Sequence, residues 1–255
     1  MASENKSSIK DQIVFVAAGA AGIGFSCVER FAKEGAKVAF MDRDDFEGEK
    51  REKEIKNLGM EVLFLHGECT SNEEVENSAK KTIEKWGKID ILINCAGGFH
   101  TTNNVEEIDE MEWKRMLDWN LTATYMSTKA IVPNMKKNNY GRIINVSSLA
   151  GRTGIAFTSI DYATAKSAII GFTRRLAVEL APFGITSNVV TPGTVWSPRV
   201  AKLHKDRIEQ IRKTIPMGRE GTTEEIADGI WYLATPGASY ITGATLDING
   251  GMWFG

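Results

Sequence analysis

Seven short runs of apolar residues recur along the chain, and amphipathic stretches with helical spacing separate them. The runs are IVFVAA (13–18), KVAFMD (37–42), EVLFLH (61–66), IDILINCAG (89–97), GRIINVSS (141–148), ITSNVVTP (185–192) and GATLDING (243–250). Each is short enough for a strand, and nearly continuous apolar character means burial on both faces. The helix-like segments fall near 22–34, 46–58, 72–86, 110–137, 160–181 and 223–234. Alternation of the two predicts a Rossmann-like α/β fold, a doubly wound parallel sheet of about seven strands with helices on both faces. Residues 198–215 are charged and helix-prone and interrupt the alternation. They are expected to cover one end of the sheet as a substrate lid. No break in composition divides the chain, so one domain over 11–255 is expected, preceded by a polar, flexible tail over 1–10.

Composition narrows the function classes. The 255 residues are 42% hydrophobic and 25% charged, with a formal net charge of −2. A near-neutral chain has no bulk electrostatic attraction to nucleic acid or to an anionic membrane. No run of ~18 apolar residues predicts a membrane span, and the start of the chain lacks the apolar stretch of a secretory signal. The three cysteines, Cys27, Cys69 and Cys95, are odd in number and match neither a CxxC pair nor a zinc site. They read as free thiols of a cytoplasmic protein, and no metal is expected.

A doubly wound sheet collects ligands at the carboxyl ends of its strands. After the first run comes Ala17-Ala18-Gly19-Ala20-Ala21-Gly22-Ile23-Gly24. Small residues there let the backbone turn sharply and approach a pyrophosphate, and the following helix offers free N–H groups to the phosphates. The second run ends in Asp42, placed to accept hydrogen bonds from the adenosine ribose and to repel a 2′-phosphate. This favours NAD over NADP. Arg43 pulls the other way, because a guanidinium can pair with that phosphate; its alternative is a solvated surface charge.

Tyr162 and Lys166 stand at i, i+4 on one face of a predicted helix. A nearby ammonium favours the phenolate and lowers the tyrosine pKa, which is ordinarily ~10 and too high for a base at neutral pH. Ser148 ends the fifth run, at the sheet edge where a substrate oxygen would lie.

With these residues in place, the chain resembles the short-chain dehydrogenase/reductase family over about Asp11 to Gly251. The motifs occur in the family's order: Gly22-Ile23-Gly24, Asn94-Cys95-Ala96-Gly97, Asn120, Ser148, the Tyr162/Lys166 pair and Pro192-Gly193. The resemblance implies that Tyr162 exchanges a proton with the substrate oxygen and Ser148 hydrogen-bonds it. It implies that Lys166 holds the nicotinamide ribose, and that Asn120 maintains a helix distortion with a water for proton relay. Gly97 would lie close to the cofactor, Val195 would meet the carboxamide through its backbone, and Ser197 replaces a customary threonine. Glu68-Cys69 stands where Asp-Val is usual, with Glu68 reaching toward the adenine.

The phosphate loop departs from the family pattern, with Ala17 for threonine and Ala18 for the first glycine. Either Ala18 keeps a negative φ, or the turn shifts and Gly19 takes the special geometry. The substrate pocket is expected to use Phe99, His100, Ala150, Phe157, Thr158 and Trp196, with a solvated loop residue as the alternative for His100 and an anchor packing the lid as the alternative for Trp196. The apolar tail from Gly251 to Gly255 reads as a subunit interface, with packing on its own subunit as the alternative, and a homotetramer is implied by the resemblance. The leading reading is an NAD(H)-dependent oxidoreductase interconverting a small-molecule secondary alcohol and a ketone. The alternatives are an NADPH-dependent 3-oxoacyl-thioester reductase and a non-catalytic dinucleotide-binding regulator.

Overall fold

The computed structural model describes residues 8–197 and 208–255. Seven strands form one parallel sheet: β1 (Ile13–Ala17), β2 (Lys37–Asp42), β3 (Val62–His66), β4 (Ile91–Asn94), β5 (Gly141–Val146), β6 (Ile185–Pro192) and β7 (Thr245–Ile248). Their order is β3-β2-β1-β4-β5-β6-β7. The helices are α1 (Gly22–Lys33), α2 (Asp45–Asn57), α3 (Asn72–Trp86), α4 (Glu110–Leu117), α5 (Ala123–Asn138), α6 (Ile160–Leu180), α7 (Ile208–Thr214) and α8 (Thr223–Ala234). The seven expected strands all form, each within the expected run.

Two apolar layers explain why the strand runs are continuous rather than alternating. Val14 and Val16 of β1 join Phe31 of α1 and Ile230 of α8 in one core. Phe15 and Ala17 point to the other face and meet Val75 of α3 and Ile131 of α5. Successive side chains of a strand point to opposite faces, so two helix layers demand an apolar residue at every position. The edge strand β7 shows the converse, with all four residues only partly buried.

β1 pairs β2 on one side and β4 on the other, in parallel register from Val14↔Val38 and Val14↔Ile91 onward. The chain therefore reverses its direction of winding at β1, and the loops after β1 and β4 diverge from the sheet's carboxyl edge there. That crevice is where open α/β sheets hold ligands.

Three expectations change. The helix expected over 110–137 is divided by a π-helical turn at Asp118–Thr122. Ile9, expected in the frayed tail, is fully buried in the core. Of the expected lid, residues 198–207 lie outside the described residues; the remainder contains α7, which buries Ile211.

Candidate active site

The loop after β1 carries an unusual backbone. Ala18 lies at φ +62°, in the left-handed region, and Gly22 at +54°. Neither expected reading of the altered loop holds, because Ala18 itself takes the geometry that costs a β-carbon. Its carbonyl then lies so close to α1 that a Cβ on Gly24 would fall 2.0 Å from the oxygen. Only glycine at position 24 lets the helix start this near the turn. Asp42 fastens the loop from the next strand: its Oδ2 accepts the Ala20 N–H at 3.0 Å, and its Oδ1 accepts the Asp44 N–H at 3.2 Å.

The first turn of α1 fits an anion. Its N-cap Ala21 supplies no side-chain cap, and no acid occupies the turn. By contrast α2, α3, α4 and α8 each have a side-chain cap and acids in the first turn. Exposed N–H groups and the positive end of the helix dipole are thus left beside the glycine-rich loop.

On the other side of β1, the loop after β4 passes under the π-helical turn. Asn120 is fully buried there. Its Nδ2 donates to Met116 O at 3.0 Å and Gly98 O at 3.1 Å, and its Oδ1 accepts the Gly98 N–H at 2.9 Å. A π-bulge inserts a residue into a helix and turns a side chain out of the usual register. Here that side chain ties α4 to the Gly97-Gly98 backbone. A Cβ on Gly97 would lie 2.2 Å from Asn120 Oδ1 and 3.2 Å from Lys166 Nζ, so glycine is required for the close approach.

Tyr162 and Lys166, one turn apart on α6, are both buried. Lys166 Nζ donates to Val146 O at 3.0 Å and lies 5.7 Å from the centroid of the Tyr162 ring. Ser147 Oγ donates to Lys166 O at 2.7 Å, binding β5 to α6. The next residue, Ser148, turns its Oγ to accept the Ala150 N–H at 3.1 Å. The Tyr162 ring meets that of Phe99 at 4.7 Å between centroids.

These parts line one cavity of about 920 Å³. From the phosphate side it is walled by Ala18, Gly22, Ile23, Gly24, Asp42, Arg43, Glu68 and Cys69. Nearer the tyrosine it is walled by Ala96, Gly97, Phe99, Ser148, Ala150, Phe157, Thr158, Tyr162, Lys166, Pro192, Gly193, Val195 and Ser197. The residues singled out in the sequence are thus mostly brought together.

Five do not line the cavity. Gly19 donates its N–H to Met41 O at 3.1 Å, behind the loop. Asn94 is buried under the site, giving its amide to Asn145 Oδ1 at 2.8 Å and Thr128 Oγ1 at 3.2 Å. Asn120 stands behind Gly97-Gly98. His100, expected in the pocket, instead pairs with Arg115 and with Glu112, 3.4 Å away. Trp196, offered as a pocket wall, is half-exposed outside the cavity, its backbone N–H bonded to Gly221 O at 2.8 Å.

Other lining residues escaped the sequence reading. Trp119 lines the cavity from the π-helical turn, Ile155 comes from the loop between Ser148 and α6, and Met252 enters from the tail. Asp44 and Glu47 add two carboxylates beside Asp42. Only Trp119 had a local signal, as the neighbour of Asn120.

The three thiols are free. Burial and contact with Cys95 push the Cys27 thiol well up. Burial, then the nearby Glu68 and Asp42 carboxylates, push Cys69 up to about 12. Among the described residues no cluster of three His, Cys, Asp or Glu is placed to hold a metal, and no helix is long and apolar enough to cross a membrane.

Comparison with known proteins agrees with this architecture. A family model described as enoyl-(acyl carrier protein) reductase matches residues 17–253. The chain is 35% identical to the short-chain reductase protein NovJ of Streptomyces niveus, over 95% of this chain and 94% of that one. It is 33% identical to a 3-oxoacyl-[acyl-carrier-protein] reductase of Vibrio cholerae, over 96% and 99%. The solved 3-oxoacyl-[acyl-carrier protein] reductase from Brucella melitensis superposes with a TM-score of 0.90 at 31% identity, over 98% and 94% of the two chains. The chain belongs to the short-chain dehydrogenase/reductase family, whose oxidoreductases use a nicotinamide dinucleotide.

Proposed function

We propose that this chain reduces a ketone to a secondary alcohol, or runs the reverse, with Tyr162 exchanging the proton. The observation that carries the reading is the grouping of Tyr162, Lys166 and Ser148 along one cavity with the uncapped start of α1. Both ends of a dinucleotide and a reacting carbonyl have partners there. The nicotinamide supplies the hydride. Ser148 Oγ holds the substrate oxygen, the Tyr162 hydroxyl gives it a proton, and the Lys166 ammonium favours the phenolate left behind. Lys166 and Ser147 hold α6 against β5, which fixes the tyrosine relative to the serine. Asn120 positions the Gly97-Gly98 backbone against the same cavity.

Among substrates, a 3-oxoacyl thioester takes precedence over a free secondary alcohol. The names of relatives at full-length coverage support it, and this reverses the order set from the sequence. For the cofactor we favour NAD(H). Asp42, Asp44, Glu47 and Glu68 line the adenosine end against one cation among the described residues, Arg43. Arg43 is itself paired with Glu68 at 3.3 Å. A 2′-phosphate would meet net negative charge. The retention of a full acid/base set speaks against a non-catalytic regulator. We read residues 11–255 as one catalytic domain and the exposed Phe254 of the tail as part of a homotetramer interface, which sedimentation checks.

The deciding assay follows absorbance of NADH and NADPH, in parallel, with acetoacetyl thioester and with a panel of simple ketones. Reduction with a higher kcat/KM for NADH supports the reading. Measurable cofactor binding with no turnover of any carbonyl would return the chain to the non-catalytic alternative, and a clear NADPH preference would overturn the cofactor assignment.

A further inference from the structure

The surroundings of the Tyr162 ring carry information about the substrate that the proton chemistry does not. One small apolar cluster encloses it: Met116, Ala150 and Tyr162 are buried, with Phe99, Trp119 and Ile155 packed against them. Phe157, Ile211 and Met252 line the same cavity. Phe99 already presents its ring to Tyr162 at 4.7 Å with a 42° tilt, the tilted geometry that aromatic pairs favour. Thr158 and Thr214 add neutral hydroxyls to the same lining.

Charge is absent from that wall among the described residues, although bases stand nearby. Lys166 is committed to Val146 O and to the tyrosine. Arg152, which follows the Ser148 turn, is turned away to Asp247 Oδ2 at 3.1 Å and to the backbone oxygen of Gly255. Arg115 and His100 are grouped with Glu112 outside the cavity. Against these described residues an anionic group would find no counter-ion, and an unpaired buried charge is costly. An aromatic or alicyclic ring would instead be matched by the rings and aliphatic side chains of Phe99, Trp119, Ile155 and Phe157.

We infer that the substrate is a ketone bearing a ring close to the carbonyl, held between Phe99, Phe157 and Trp119. This rests on the ketone-reductase reading and names the substrate class within it.

The test uses two matched series. The first comprises N-acetylcysteamine 3-oxoacyl thioesters with phenyl, methyl or 2-carboxyethyl at the carbonyl carbon. The second comprises 1-phenylpropan-2-one, butan-2-one and 4-oxopentanoate. Kcat/KM is measured for all six, and Kd is measured calorimetrically with the oxidised dinucleotide present. The phenyl compound is expected to lead the methyl compound by about tenfold, equivalent to about 1.4 kcal/mol. Ile155→Lys should raise the carboxylate member and lower the phenyl member. A carboxylate that ranks first in the native enzyme, or phenyl and methyl compounds that rank equal, overturns the inference. The binding series separates the two claims. Ring preference in Kd without turnover sustains the substrate class and rejects the reductase reading, whereas turnover without ring preference does the opposite.

Discussion

The carbonyl oxygen of Ala18 lies 2.0 Å from where a Cβ on Gly24 would stand. The contact exists because Ala18 adopts φ +62°, folding the β1–α1 turn back over the helix start. An alanine in the left-handed region costs about 1–2 kcal/mol, and glycine gives back part of that gain through its freer unfolded chain.

Ala18→Gly is therefore expected to stabilise the protein by about 0.5–1 kcal/mol, a rise of about 1–4 °C in Tm for a domain of this size. Dinucleotide affinity should stay within about twofold, because the backbone path is unchanged. Gly24→Ala should do the reverse, with loss of cofactor binding before loss of fold. Thermal melts with and without NADH measure both.

Removing the Tyr162 hydroxyl tests the proton transfer. Tyr162→Phe keeps the ring that packs on Phe99 and Met116 but deletes the acid. A loss of about 10²–10⁴ in kcat is expected, the usual contribution of a positioned acid/base. NADH affinity should remain near that of the native chain. Single-turnover measurement with bound NADH distinguishes a lost chemical step from slow release, and near-native hydride transfer would remove Tyr162 from this role.

Much of this site could be read in advance because its residues sit at the ends of strands whose burial is written in continuous apolar runs. β1 to β6 bring Ala18, Asp42, Gly97, Ser148 and Pro192 to one edge through sheet register alone. The parts that were not legible depend on contacts between distant segments. The break at Asp118–Thr122 leaves the apolar spacing of 110–137 intact, since it arises from Asn120 bonding to Met116 and Gly98 rather than from a helix-breaking residue. His100 leaves the pocket because Arg115 and Glu112, on α4, present it with charged partners. Met252 reaches the cavity only once the chain end has folded back beside β7. Ala18 adopting a positive φ contradicts its own conformational preference, so a local reading was bound to miss it.

Asp42 is expected to set cofactor choice in two ways, through its charge and through its bond to Ala20. Asp42→Asn removes the charge and preserves an oxygen able to accept the Ala20 N–H. The ratio of kcat/KM for NADH over NADPH should fall by about tenfold, or about 1.4 kcal/mol. Glu68→Gln, which weakens the hold on Arg43, should lower the same ratio by a smaller amount, as exposed ion pairs are weak. Steady-state kinetics with both cofactors check the order. An unchanged ratio in Asp42→Asn would show that the charge of this residue does not discriminate the 2′-phosphate.

Acid sensitivity should arise in part at the start of α8. Glu225 accepts from Arg219 Nη2 at 2.6 Å and Nη1 at 2.9 Å, and from the Thr222 N–H at 2.9 Å. These contacts, the Arg219 bond first, hold its carboxyl at about 2 instead of the ordinary 4.5. Glu220, bonded to Arg212 at 2.9 and 3.0 Å, is lowered in the same direction. A carboxyl whose folded pKa is depressed binds fewer protons folded than unfolded, so its stabilisation is complete above about pH 4.5 and is lost as the pH falls toward 2. Glu225→Gln should accordingly lower Tm at neutral pH, and the gap to the native chain should close through that window. The pair is nearly half exposed, so the effect should be modest and should shrink with added salt. Melting curves across this pH range, at low and high ionic strength, measure it. A gap that stays constant down to about pH 2 would mean that Glu225 acts through packing or the Thr222 cap rather than through its charge.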